Sequence, residues 1–365
     1  MLLDDVIVLI ANFRIPQEHK IFIQQHMKNK LKYFLLTILL VFSSIASQSQ
    51  TVKQWVEYNG FEGPGKGKSI VFVCGDEEYR SEEGLPMLAQ ILAKRYGFSC
   101  TVLFSSDPKT GEIDPLNLSN INGLEHLAKA DLLVIFTRFR ELPDSQMKYI
   151  DEYIKAGKPV VGLRTATHAF NYKMNKNSPY AKYDFRSKVN GWEDGFGRQI
   201  LGETWISHHG NHTKEGTRGV VNGIEQNKKN PILNGVSDIW APTDVYAVRD
   251  LGNANVLIYG QSSSGMTPES PVNLKKSIMP VAWTKSYTGS NGVMGRVFST
   301  TMGASIDLLN EDLRRLIVNG CFWAIGMEMQ IPVKADVGFI SDYNPKMFGY
   351  GLFKKGMFPS NFELK

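Results

Sequence analysis

The sequence predicts an α/β protein built on a parallel sheet with helices on both faces. Continuous apolar runs rich in β-branched residues occur at residues 69–74 (SIVFVC), 131–137 (DLLVIFT) and 159–163 (PVVGL), the pattern of strands buried on both sides. Stretches of helical period separate them. Strand and helix alternating at this spacing describe right-handed βαβ units.

Residues 48–66 read as a linker, and Gly63-Pro64-Gly65-Lys66-Gly67-Lys68 as an entry loop before the first strong strand. After that strand, Ser81 is placed to cap a helix whose first turn carries Glu82 and Glu83, on whose face Leu85, Leu88 and Leu92 align, and which Gly97 ends. Residues 99–104 (SCTVLF) are a second strand, 124–129 a short helix, and 131–137 a third strand. Pro143 suits the first turn of a helix lined by Met147, Ile150 and Ile154 and closed by Gly157, before the strand at 159–163. The segment 171–230 has little periodicity and reads as insertions and loops around a site. Further strands are expected at 256–260, 280–284 and 295–300, with a helix at 313–325 ended by Gly326. Residues 331–365 form a tail that wraps the domain.

Residues 1–47 read as an export signal. Lys28, Lys30 and Lys32 precede an apolar run at 33–45, Ser44 and Ala46 suit a cleavage point, and Met27 is an alternative start. The run is short for a membrane span, so no span is expected in the mature chain and the protein is placed in the periplasm or outside the cell. A formal net charge of +5 without a dense basic run interleaved with aromatics excludes a nucleic-acid binder. Three irregularly spaced cysteines, Cys74, Cys100 and Cys321, read as buried thiols, with a Cys74–Cys100 bridge as the alternative.

Ligands of open parallel sheets bind beyond the carboxyl ends of the strands. The residues delivered there are Asp76, Glu77, Tyr79 and Arg80 after the first strand, Arg138 and Arg140 after the third, and Arg164, Thr165 and His168 after the fourth. Carboxylates, guanidiniums and an imidazole together can bind a polyol and move its protons. A second cluster, His208-His209-Gly210-Asn211-His212, supplies acid/base groups or ligands for a divalent metal. Trp205 offers an aromatic face. The candidate catalytic residues are therefore His168, His208, His209, His212 and Glu77. The candidate substrate-binding residues are Asp76, Tyr79, Arg138, Arg164, Thr165 and Trp205.

Residues 159–168 (PVVGLRTATH) resemble the strand and elbow of class I glutamine amidotransferases. GDEEYRSEE (75–83), FTRFRELPD (136–144), GLRTATHAF (162–170) and GETWISHHGNH (202–212), with the later PVAW, GRVF and TTMG segments, resemble the ThuA-like (trehalose utilisation) family. The resemblance runs from about Gly67 to Gly326, within one domain at 67–330. It implies a flavodoxin-like three-layer sandwich with a mostly parallel central sheet, and a role in the use of trehalose and related disaccharides. The amidotransferase nucleophile is replaced by Arg164, and no histidine follows His212. Glutaminase chemistry needs a thiolate and a base, so it is rejected. The expected function is hydrolysis or elimination on a disaccharide or keto-glycoside, with a small-molecule carbohydrate as partner. The alternative is a non-catalytic sugar-binding module or scaffold.

Overall fold

The computed structural model describes residues 53–220, 227 and 229–364, with a part of residues 16–34. The chain divides into two units, Met1–Thr51 and Val52–Lys365. In the first, residues 25–30 are helical. The apolar run at 33–45 and the proposed cleavage point lie almost wholly outside the described residues. No described helix is long and apolar enough to cross a membrane.

Among its described residues the second unit holds ten strands and three α-helices. In chain order they are β1 (Trp55–Tyr58), β2 (Ser69–Gly75), α1 (Ser81–Tyr96), β3 (Ser99–Phe104), β4 (Leu132–Thr137), α2 (Asp144–Lys155), β5 (Val160–Leu163), β6 (Thr217–Val220), β7 (Trp240–Ala241), β8 (Asn255–Ser262), β9 (Met279–Thr288), β10 (Met294–Thr300) and α3 (Glu311–Ala324). The sheet order is β1-β3-β2-β4-β5-β10-β9-β8-β6-β7. From β3 to β10 every pairing is parallel. Counted along the chain, this half runs 2-1-3-4-5, the flavodoxin-like order.

The other half corrects the expectation of a mostly parallel sheet. β9 pairs antiparallel with both β10 and β8, β6 pairs antiparallel with β8 and β7, and β1 lies antiparallel on β3. The cause lies in the connections. Residues 289–293 are too few for the crossover that a parallel β9–β10 pair would need. Residues 53–66 are also more than a linker, because they supply β1 at the sheet edge.

Side chains alternate along each central strand. Ile70, Phe72 and Cys74 of β2 point to one face, where the buried sides of α1 and α3 cover them. Val71 and Val73 point to the other, under Met147, Ile150 and Ile154 of α2 and under Leu124 and Leu127 of the short 3₁₀ helix Leu124–Lys129. The three cysteines are buried and free, so there is no Cys74–Cys100 bridge. Ser81 does not cap α1. Its hydroxyl accepts from the backbone N–H groups of Gly75 and Asp76 at 3.0 and 3.1 Å, while Arg80 occupies the capping position in a left-handed conformation (φ 63°). The tail packs on the domain through Ala335, Val337 and Phe348, all buried.

Candidate functional site

The carboxyl ends of β2, β4 and β5 are level with one another, Gly75 pairing with Thr137 and Ile135 with Gly162. The turns that leave them meet at one rim. There Phe139 and Arg164 both adopt left-handed backbone conformations, with φ of 55° and 45°. Such conformations cost a non-glycine residue roughly 1–3 kcal/mol and need strong local fixing. Arg164 has that fixing. Nη1 donates to the carbonyls of Asp244 and Thr301 at 2.8 Å each, and Nη2 donates to Tyr79 Oη at 3.3 Å and Asp244 Oδ1 at 3.2 Å. The guanidinium is sandwiched between the rings of Tyr79 and Tyr246, 4.5 and 4.1 Å from their centroids.

Asp244 is the centre of the cluster. It follows β7 and is fully buried. The segment 207–210 runs beside it, with the N–H groups of His209 and Gly210 donating to Val245 O and that of Ala247 to Ser207 O, at 2.8 to 2.9 Å. This pairing sets His208 Nδ1 2.7 Å from Asp244 Oδ2. His212 Nδ1 lies 3.1 Å from Oδ1, and its Nε2 lies 3.0 Å from Glu78 Oε1. Burial works against charge on Asp244, but the His208 and His212 hydrogen bonds and Arg164 hold its carboxyl far below the usual range. An ionised carboxylate only accepts, so Nδ1 of each histidine carries the proton. His212, bracketed by Asp244 and Glu78 against the opposing effect of burial, is pushed up to about 9. It is therefore a cation at neutral pH.

A cavity of about 70 Å³ opens on this cluster, lined by Glu78, Tyr79, Arg138, Phe139, His168, Trp205, His208, Tyr246 and Tyr350. His208 lines the cavity with its Nδ1 engaged by Asp244, so Nε2 is the ring nitrogen that this bond does not use. Arg138 is paired with Glu77, approaches Glu78 to 3.6 Å through Nε, and donates from Nη2 to Tyr350 Oη at 2.6 Å. His168 stands among Phe139, Trp205 and Tyr246, with Nδ1 3.1 Å from Thr167 Oγ1. Burial, helped by Arg138, Arg164 and His208, holds its pKa well below the ordinary value, so it is neutral.

The remaining candidates lie behind or away from this cavity. Glu77 joins Arg138 to Arg140, whose Nη2 is 3.0 Å from Oε2. Asp76 is buried and accepts from the N–H groups of Glu78 and Tyr79 at 2.7 and 2.5 Å and from the Thr165 hydroxyl. Burial and neighbouring Glu77 push its carboxyl up to about 6, against those hydrogen bonds. Asp76 and Thr165 thus shape the turn that presents Glu78. His209 points elsewhere, its Nε2 2.8 Å from Ser277 O. Sequence reasoning missed Asp244, Tyr246, Glu78 and Tyr350 as site residues. His208, His212 and Asp244 offer donor atoms within 4.8 Å of one another, a set that could hold a divalent ion.

The fold and the site define an α/β protein with a histidine–carboxylate cluster at the rim where the parallel and antiparallel halves of its sheet meet. The chain belongs to the ThuA family, described as trehalose utilisation, whose model matches residues 69–324. Arg164 stands at the elbow after β5, and the described cavity wall holds no cysteine. Among solved structures, the chain is similar to a ThuA-like protein from Parabacteroides merdae ATCC 43184, at 16% identity and a TM-score of 0.45 over 82% of this chain and 100% of that one. It is also similar to a ThuA-like protein from Bacteroides uniformis ATCC 8492, at 15% identity and a TM-score of 0.43 over 73% and 94% of the two chains. Among curated proteins none matches the chain.

Proposed function

We propose that this protein cleaves a carbohydrate, a disaccharide or its keto-glycoside, by acid–base chemistry at the His208 cavity. The observation that carries the reading is the Asp244–His208 pair. A buried carboxylate fixes the tautomer and orientation of an imidazole that lines a cavity, the arrangement of an oriented general base. The description of the family as trehalose utilisation supports the substrate class.

Elimination fits this cavity better than hydrolysis by two carboxylates. That hydrolysis needs a pair of carboxyl groups flanking the scissile bond, and Glu78 is the sole carboxylate lining the described cavity. In elimination, which takes the keto-glycoside as its substrate, His208 Nε2 takes a proton from the carbon beside the carbonyl. The electron pair left behind forms a carbon–carbon double bond, the glycosidic C–O bond breaks, and the same proton passes to the departing oxygen. Arg138 is placed to stabilise the enolate-like oxygen during the transfer. Glutaminase chemistry is no part of the proposal.

Export is part of the same reading, supported by the lysines at 28, 30 and 32 and the apolar run after them. Sequencing the amino terminus of protein recovered outside the cytoplasm tests it. Incubating the full chain with disaccharides and their keto forms tests the activity. Cleavage lost in His208→Gln supports it, and saturable binding without turnover would instead make the protein a sugar-binding module.

A further inference from the structure

We propose that the C-terminal strap builds a second sugar subsite at the mouth of the cavity, with Tyr350 and Trp205 as its aromatic walls. The inference rests on the carbohydrate reading above and specifies how much of the substrate the protein grips. A cavity of about 70 Å³ has room for a few water molecules. A pyranose ring with its hydroxyls is larger, so only its reacting edge enters and the rest of a disaccharide lies outside.

What waits outside is an exposed aromatic. Tyr350 lines the cavity yet is 60% exposed. Its ring lies 4.9 Å from the Arg138 guanidinium. The strap is fixed on both sides of it. Gly349 N–H donates to Glu78 O at 2.8 Å, Arg80 Nη2 donates to Gly349 O at 2.8 Å, and Gly351 N–H donates to Glu77 O at 3.3 Å. Gly349 and Gly351 have φ of 150° and 65°, values that favour glycine and let the chain turn sharply on either side of the ring. The same loop residues that carry the site carboxylates therefore anchor the strap. Met347 and Leu352 extend the exposed apolar surface beside it, at 49% and 62%. Flat aromatic faces suit the C–H faces of a sugar ring, while the phenol and indole polar edges reach hydroxyls. Tyr350 on the strap lies beyond residues 69–324 matched by the family model, whereas Trp205 lies within them.

The test compares the full-length wild type with Tyr350→Ala and Tyr350→Phe, measuring Kd by calorimetry for trehalose, maltose and cellobiose against glucose. Loss of one stacked ring is expected to weaken disaccharide binding roughly tenfold. Glucose binding should fall less than disaccharide binding, and Tyr350→Phe should show the smaller loss because the ring remains. An equal loss for glucose and disaccharides, or no loss for either, overturns the subsite while leaving the carbohydrate reading in place. Absence of any sugar binding by the wild type overturns both.

Discussion

His208 Nδ1 lies 2.7 Å from Asp244 Oδ2, although 35 residues separate the two in sequence and they arrive on different strand connections. Through its other oxygen, Oδ1, the same carboxylate meets both His212 and Arg164. One buried anion thus organises three nitrogen-bearing groups, and its removal should be felt in both stability and activity.

Asp244→Asn leaves the buried Arg164 guanidinium without its counter-charge. Breaking a buried pair from one side costs roughly 3–5 kcal/mol. Urea unfolding of the variant should show a loss of that order, whereas His208→Gln, at a site one third exposed, should cost far less.

His212 makes the fold sensitive to base. Its folded pKa of about 9 lies above the ordinary value of 6.5. Its contribution is therefore complete below pH 6.5 and is lost as pH rises through about 9. The melting temperature should fall across that window in the wild type, and the fall should be shallower in His212→Gln.

His168 acts with the opposite sign. Its folded pKa is held well below 6.5, so the unfolded chain takes up the proton first and stability declines as pH falls below that value. His168→Phe keeps an aromatic ring among Phe139, Trp205 and Tyr246 and should flatten that part of the acid limb. An unchanged limb would mean that the imidazole is charged in the folded protein.

Arg138→Gln removes the charged donor nearest the proposed enolate oxygen. Losing one such donor costs about 10²–10³ in kcat. The loss should fall on kcat more than on KM, with the circular dichroism spectrum unchanged.

Zinc offers a test of the histidine cluster. Zn²⁺ bound by His208, His212 and Asp244 would occupy the base, so added Zn²⁺ should inhibit cleavage and a chelator should restore it. Activation by Zn²⁺ would instead identify the three residues as a metal centre.

The parallel half and its rim were legible because buried strands announce themselves as apolar runs and their exits carry the polar residues. Arg138, Arg164 and His168 were read at the strand exits this way, and the density of histidines drew attention to His208 and His212. Asp244 and Tyr246 gave no such signal. They follow β7, a strand of two residues, in a stretch without periodicity. Tyr350 comes from a glycine-rich tail whose fold depends on tertiary contacts with the Glu77–Arg80 turn. The antiparallel half could have been read from the five residues between β9 and β10, since a short connection fixes strand direction where composition does not.

The most direct test of the central claim is hydrogen exchange at the carbon beside the carbonyl of a keto-disaccharide, followed by proton NMR in D₂O. The account predicts enzyme-dependent loss of that proton signal with the wild type and none above background with a folded His208→Gln variant. Exchange that continues undiminished in His208→Gln would contradict it.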